Sequence, residues 1–158
     1  MATTPGFGSA YKSTPQNLFT IETDQLGKDI NTSVGAGAAI TFDTAAASAG
    51  SDITDNNDGT YTLAADLDYL ITATAVLNNV AYTPAAPPAL AVYNTADESV
   101  IGTSVPVNET LTVVIPASED PVTIAVVAQA PGAATGGIWA YPAQITAATL
   151  TIQIIGGF

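Results

Sequence analysis

The residues of this chain that could do chemistry are few, and several types are missing. The sequence has no histidine and no cysteine, and its only cations are Lys12 and Lys28, so it also lacks arginine. Ser-His-Asp and Cys-His nucleophilic sites need an imidazole or a thiol, and imidazole and thiolate zinc sites are excluded for the same reason. Phosphoryl transfer lacks its usual glycine-rich lysine loop and its arginine. We therefore expect no enzymatic activity and no cofactor.

Carboxylates are the only numerous reactive groups in the sequence, which has 14 acidic residues. Paired carboxylates can hydrolyse glycosides, and Asp97-Glu98 and Glu119-Asp120 are two adjacent pairs. Adjacent residues of a strand point to opposite faces of a sheet, which makes both pairs poor matches to that chemistry.

A second group of oxygen-bearing side chains could hold calcium, which prefers oxygen ligands. The weak candidates are Asp52, Asp55, Asn57 and Asp58. They lack the spacing and the final glutamate of an EF-hand loop. Because Asp58 is followed by Gly59, which readily takes a positive φ, the segment is better interpreted as a solvated hairpin turn, and we expect no tightly bound metal.

The charge balance excludes two classes of partner. The net charge is -12, and two lysines cannot neutralise a phosphate backbone or attract the chain to an anionic membrane. Only 10% of the residues are charged, against about 25% in a typical soluble protein. This low fraction indicates that other protein covers much of the surface.

The first residues resemble no secretory signal. Residues 1–6 contain neither a basic region nor an apolar run, and no apolar stretch approaches the ~18 residues of a membrane span. The expectation is synthesis in a host cytoplasm without an export signal.

The polarity pattern predicts an all-β fold. Apolar residues alternate with threonine and other residues in several short segments, most clearly Tyr69–Leu77, Leu111–Ile115 and Leu150–Ile154. Turn signals separate these segments, which is typical of a sandwich or barrel. Many outward positions are alanine, threonine or valine, which favours a second buried face of the kind that a subunit interface needs.

The first part of the chain differs from the rest. Residues 1–36 are rich in glycine and proline and predict an extended N-terminal arm, followed by a β domain over residues 37–158. The arm is too sparse in apolar residues for a core of its own. Its candidate docking residues are Phe7, Tyr11, Leu18, Phe19, Ile21 and Leu26.

A series of strand motifs runs from Ala38 to Ile155. The first strand motif is Ile40-Thr41-Phe42, and Gly59-Thr60-Tyr61-Thr62-Leu63 follows a turn. A tyrosine-led strand motif covers residues 69–75, and the closing strand motif covers residues 148–154. The order of these motifs resembles the tumour-necrosis-factor-like superfamily, which includes the complement globular heads.

The resemblance implies an all-β fold: a jelly-roll β-sandwich of roughly eight to ten strands, here with the extended N-terminal arm, that forms tight trimers around an aromatic or apolar axis. The chain departs from the pattern because it has no collagen-like glycine repeat, no secretion signal and no cysteine. These departures argue against an extracellular animal ligand. Similar trimeric jelly rolls occur on virion surfaces, including those of bacteriophages, and on bacterial spores.

The expected function is a structural protein of a virus particle, a trimer that decorates or cements the outer capsid surface. Its expected partners are copies of itself and, through the arm, other capsid proteins. The alternative is a receptor- or carbohydrate-binding module of a fibre or spore coat, with a host glycan or receptor as partner. Candidate residues for the subunit interface or for surface binding are Tyr69, Tyr93, Trp139, Tyr141 and Phe158.

Overall fold

Twelve β-strands and their turns make up the described part of this computed structural model, which comprises residues 6–11, 16–19, 38–42, 44–78, 89–129 and 143–157. These residues contain no helix, and thus none long and apolar enough to span a membrane. The strands are β1 (Phe7–Tyr11), β2 (Gln16–Phe19), β3 (Ala38–Ala39), β4 (Thr44–Ala49), β5 (Ile53–Asp55), β6 (Thr60–Leu63), β7 (Asp68–Asn78), β8 (Ala89–Asn94), β9 (Ser99–Pro106), β10 (Leu111–Ile115), β11 (Val122–Gln129) and β12 (Ala143–Gly156).

The strands form two sheets in which every pairing is antiparallel. The first sheet has the order β10-β7-β12-β1-β4, and β2 also pairs with β12. The second has the order β5-β6-β11-β8-β9, and β3 also pairs with β11. Each sheet therefore contains six strands, and the arrangement confirms the expected all-β sandwich.

The hydrophobic core lies between the two sheets because each strand turns its alternate apolar residues inward. In β10, Leu111, Val113 and Ile115 are buried while Thr112 and Val114 are exposed. Burying a side chain of this size contributes about 1.5–3 kcal/mol. The largest side chains with almost no exposure are Tyr69, Ile40, Leu63, Ile71, Leu90, Leu111, Ile124, Leu150 and Ile152.

The strand count exceeds the expected eight to ten because some strands carry no clear pattern. The sequence of β4 is TAAASA, in which small residues hide the alternation. Two further strands, β3 and β5, are only two and three residues long.

Two pieces of the predicted N-terminal arm are strands of the sandwich. Strand β1 lies between β12 and β4 in the first sheet, and β2 pairs with the beginning of β12. The register pairs Gly8 with Ile152 and Ala10 with Leu150. Ile152 and Leu150 are buried core residues, so Gly8 and Ala10 also face the core. Small residues at these inward positions made the segment resemble a loop in sequence. Apart from Gly6, the rest of residues 1–36 lies outside the described residues.

The predicted hairpin turn at Asp58-Gly59 is confirmed between β5 and β6. Gly59 has a φ of 89° and Asn57 a φ of 60°, which is the left-handed region that glycine and asparagine tolerate best. The Thr60 amide and hydroxyl both donate to Asp58 Oδ1, at 2.9 and 2.6 Å. Hydrogen bonds within the turn therefore stabilise its conformation.

Candidate assembly face

The outer side of the first sheet is a broad surface whose described residues carry no charged side chain apart from Asp68, the first residue of β7. Inner residues of β7, such as Ile71 and Ala73, are buried, so their neighbours point outward. We call this surface the uncharged face. It consists of Phe7, Ser9, Leu70, Thr72, Thr74, Val76, Thr112, Val114, Ala147, Thr149, Thr151 and Gln153.

Strand register arranges these side chains in rows that run across the sheet. One row of hydroxyls consists of Thr112, Thr72, Thr151 and Ser9. The neighbouring row consists of Val114, Leu70, Gln153 and Phe7. A third row contains Thr74 and Thr149, whose hydroxyls hydrogen-bond to each other. The face therefore has two adjacent rows of hydroxyls beside a row of larger, mostly apolar side chains.

The exposed large hydrophobic side chains of the described residues concentrate on this side. Val114 is 54% exposed, Val76 is 50% exposed, and Ile155, beside a bulge near the end of β12, is 46% exposed. The fourth, Val100, is 39% exposed and lies on β9 of the second sheet. Three of the four lie on one side, which favours that side as an interaction site.

The acidic residues lie elsewhere, in turns and at strand ends. Strand directions put seven of the ten described acids at one end of the sandwich and three at the other. The seven are Asp52, Asp66, Asp68, Asp97, Glu98, Glu119 and Asp120. The three are Asp55, Asp58 and Glu109. Of these acids Asp68, the first residue of β7, comes nearest the uncharged face, and its Oδ1 accepts a hydrogen bond from the Ala117 amide at 2.8 Å.

One aromatic interface candidate is a core residue. Tyr69 is 1% exposed, and its hydroxyl donates to the carbonyl oxygen of Ala64 at 3.0 Å and lies 3.3 Å from that of Asp52. Burial, with a smaller contribution from the charge of Asp52, raises its pKa. The prediction that Tyr69 contacts another subunit is corrected, because its side chain is used inside its own sandwich.

The remaining aromatic candidates have different positions. Tyr93 is half-buried on the outer side of the second sheet, against a small cluster formed by Ala91, Ala125 and Val127. Trp139, Tyr141 and Phe158 lie outside the described residues.

The arm residues are also divided. Phe7 is half-buried in the uncharged face, and Tyr11 lies at the end of β1. Leu18 and Phe19 belong to β2, while Ile21 and Leu26 lie outside the described residues. Of the six, the structure thus brings Phe7 to the candidate site.

The weak calcium candidates are not assembled into a ligand set. Asp52 precedes β5 and Asp58 follows its other end. Asp55 Oδ1 accepts a hydrogen bond from the Asn57 amide at 2.8 Å, and Asp58 Oδ1 is held by Thr60. Within the described residues, no three acidic side chains are grouped closely enough to hold a metal ion.

Sequence reasoning singled out none of the threonines that form the hydroxyl row. The available signal was the outward set of β7, in which Leu70, Thr72, Thr74 and Val76 alternate with core residues and the first member, Asp68, is the one charged residue. Comparison with known proteins adds nothing to this picture, since no family model matches the chain and no curated protein is similar to it.

Proposed function

We propose that this chain is a non-enzymatic structural protein that associates with copies of itself through the uncharged face, as a homotrimer on the outer surface of a virus capsid. The observation that carries the proposal is that, in a protein with net charge -12, the face has no charge inside its edge residue Asp68 and holds two of the four exposed large hydrophobic side chains, Val76 and Val114. A solvated sheet face normally carries charged residues at its outward positions. The lack of histidine, cysteine and arginine supports a role without catalysis.

Charge distribution supports self-association over contact with a cationic partner. Three copies carry 3 × (-12) = -36 charges, which repel one another. Because the described acids lie at the two ends of each sandwich, the uncharged faces can meet while most of the charges stay in solvent. Burial of apolar area contributes about 25 cal/mol per Å², and salt does not weaken this contribution. Salt does weaken the repulsion between the acidic copies.

We further propose that the sandwich is a jelly roll. The chain passes from β6 in the second sheet to β7 in the first, returns for the hairpin β8–β9, and then alternates between sheets through β10, β11 and β12. Long crossings between two antiparallel sheets are typical of the jelly roll. This order supports the trimeric superfamily resemblance that the sequence motifs indicate.

We propose that the chain attaches to the capsid through the part of residues 1–36 that lies outside β1 and β2. The segment contains both lysines and three acids, Glu22, Asp24 and Asp29, so its net charge is 2 − 3 = -1. The remaining residues carry the other -11. A nearly neutral segment is better suited to lie on another protein than the acidic ends of the sandwich are. We propose that this outer-surface protein is made in the host cytoplasm.

The test introduces one charge into the uncharged face and one elsewhere. Val114→Glu places a carboxylate in the face, and Val100→Glu is the matched control on the second sheet. Light scattering of the wild type at micromolar concentration should give a mass near three chains. Val114→Glu should lower that mass to one chain, while Val100→Glu should not, with both variants keeping the wild-type circular dichroism.

Two results would overturn the proposal. A wild type that is monomeric at every concentration contradicts self-association. Equal loss of assembly in both variants contradicts the uncharged face as its site. The capsid role is tested separately by adding purified protein to particles that lack it, where failure to bind contradicts decoration but leaves the trimer intact.

A further inference from the structure

A cavity of about 250 Å³ lies between the two sheets, at the side of the sandwich bounded by the edge strands β4 and β5. Protein interiors are close-packed, and voids larger than a water molecule are few. An engineered apolar cavity of about 150 Å³ is already large enough to bind benzene. This space, called the edge cavity below, can therefore hold a small organic molecule. Its walls include Gly8, Ala10, Ile53, Asp55, Tyr61 and Leu150.

The edge cavity exists because small residues face the opposite sheet. Strand β1 presents Gly8 and Ala10 inward, and β4 ends beside Gly50. A Cβ added to Gly8 would meet Ile53 Cγ2 at 3.7 Å, which is ordinary van der Waals contact. A side chain at position 8 would therefore fit, and the sequence leaves the space open without steric need.

Most of the inner wall is apolar and rigid. Leu150 and Ile152 are each 1% exposed and belong to β12, which pairs with strands on both sides. The ring of Tyr61 packs edge-on against Phe42, with 6.4 Å between ring centroids. Wall residues held in this way form a preformed pocket for an apolar molecule.

Two polar groups lie together on one side of the edge cavity. Asp55 pairs directly with Tyr61 across β5 and β6, so both side chains are on the inward side of the sheet. Burial, and then the charge of Asp55, raises the pKa of Tyr61 to about 12, so its hydroxyl keeps its proton. No hydrogen bond joins that hydroxyl to another described residue. One oxygen of Asp55 accepts from the Asn57 amide, and the side chain is exposed.

We propose that the edge cavity binds a small apolar molecule that carries a protonated amine. The apolar body lies against Gly8, Ile53 and the accessible edge of the Tyr61 ring, and the ammonium group donates to the Asp55 carboxylate at the exposed side. The charge favours a cation because the chain has 14 acidic residues against two lysines. This inference does not require the proposed self-association, because the edge cavity opens at the β4–β5 side, although Phe7 and Ser9 belong both to its lining and to the uncharged face.

The test uses 2-phenylethylamine as the probe and 2-phenylethanol as its neutral control, followed by amide chemical shifts of the full chain. The amine should shift resonances of β1, β5, β6 and β12 in a saturable way. Asp55→Asn keeps an oxygen for the Asn57 amide and removes the charge. It should weaken binding of the amine about tenfold or more, because a hydrogen bond to a charged group is being replaced. The same variant should leave binding of the alcohol unchanged.

Gly8→Val fills the edge cavity and should abolish binding of both molecules, while Gly8→Ala should reduce it less. Thermal unfolding of each variant confirms that it is folded. Absence of a saturable shift with the amine overturns the proposal. So does equal binding of amine and alcohol with no effect of Asp55→Asn, because the site would then be only an apolar void. Undiminished binding to folded Gly8→Val places the ligand elsewhere and also overturns it.

Discussion

The hydroxyl of Tyr69 donates a hydrogen bond to the carbonyl oxygen of Ala64, five residues earlier, over 3.0 Å. The same hydroxyl lies 3.3 Å from the carbonyl oxygen of Asp52, and the Ala64 amide donates to that carbonyl at 2.8 Å. One buried side chain thus joins the turn before β7 to the bend before β5. A related device, the tyrosine corner, fixes a strand corner in immunoglobulin-like sandwiches.

Replacing Tyr69 by phenylalanine should lower the free energy of unfolding by about 1–3 kcal/mol, because buried carbonyl groups lose their donor. The matched control is Tyr93→Phe, whose hydroxyl donates to no described residue and whose loss should change stability by less than about 0.5 kcal/mol. Urea denaturation of both variants measures the difference. Equal stability of the two variants would show that the Tyr69 hydroxyl does not hold the corner.

Deleting residues 2–11 should destabilise the sandwich, because β1 lies between β12 and β4 and its loss exposes the edges of both strands. We expect the melting temperature to fall by about 10 °C or more, since each kcal/mol corresponds to about 2–4 °C in a domain of this size. Deleting only residues 2–5 leaves the pairing of β1 in place and should cost less. If both deletions melt alike, β1 contributes nothing to the first sheet.

The turn between β5 and β6 predicts a shifted acid titration. The side chain and the amide of Thr60 donate to Asp58 and lower its pKa below 3.8. A carboxyl whose pKa is lower in the folded state stabilises the fold above the unfolded pKa and loses that contribution as pH falls through the folded pKa. Thr60→Val should therefore raise the pKa of Asp58 toward 3.8, as followed by NMR titration. Thr62→Val, on the same strand, keeps both donors and should leave it unchanged.

Several strands could be predicted from sequence because their alternation is strong. Leu111, Val113 and Ile115 alternate with threonine and valine in β10, and the structure buries those three. The TAAASA sequence of β4 offers no such contrast. Strand β1 was interpreted as part of an arm because Gly8 and Ala10, which face the core, are typical of loops as well.

The candidate sites were harder to predict than the strands. Alternation in β7 separates Tyr69 and Ile71 from Leu70 and Thr72, but it does not say which set faces the core. The edge cavity depends on the pairing of Asp55 with Tyr61 and on Gly8 lying opposite Ile53, which are contacts between distant parts of the chain. Neither relation leaves a local pattern in the sequence.

The uneven placement of the acids makes the described part of the chain an electric dipole. With seven described carboxylates at one end and three at the other, the negative pole is the end that holds Asp66 and Glu119. In any ring of copies related by rotation, the components of the dipoles along the ring axis add, while the perpendicular components cancel. Such a ring binds a positively charged surface with one fixed side, and an adsorption experiment can measure its orientation.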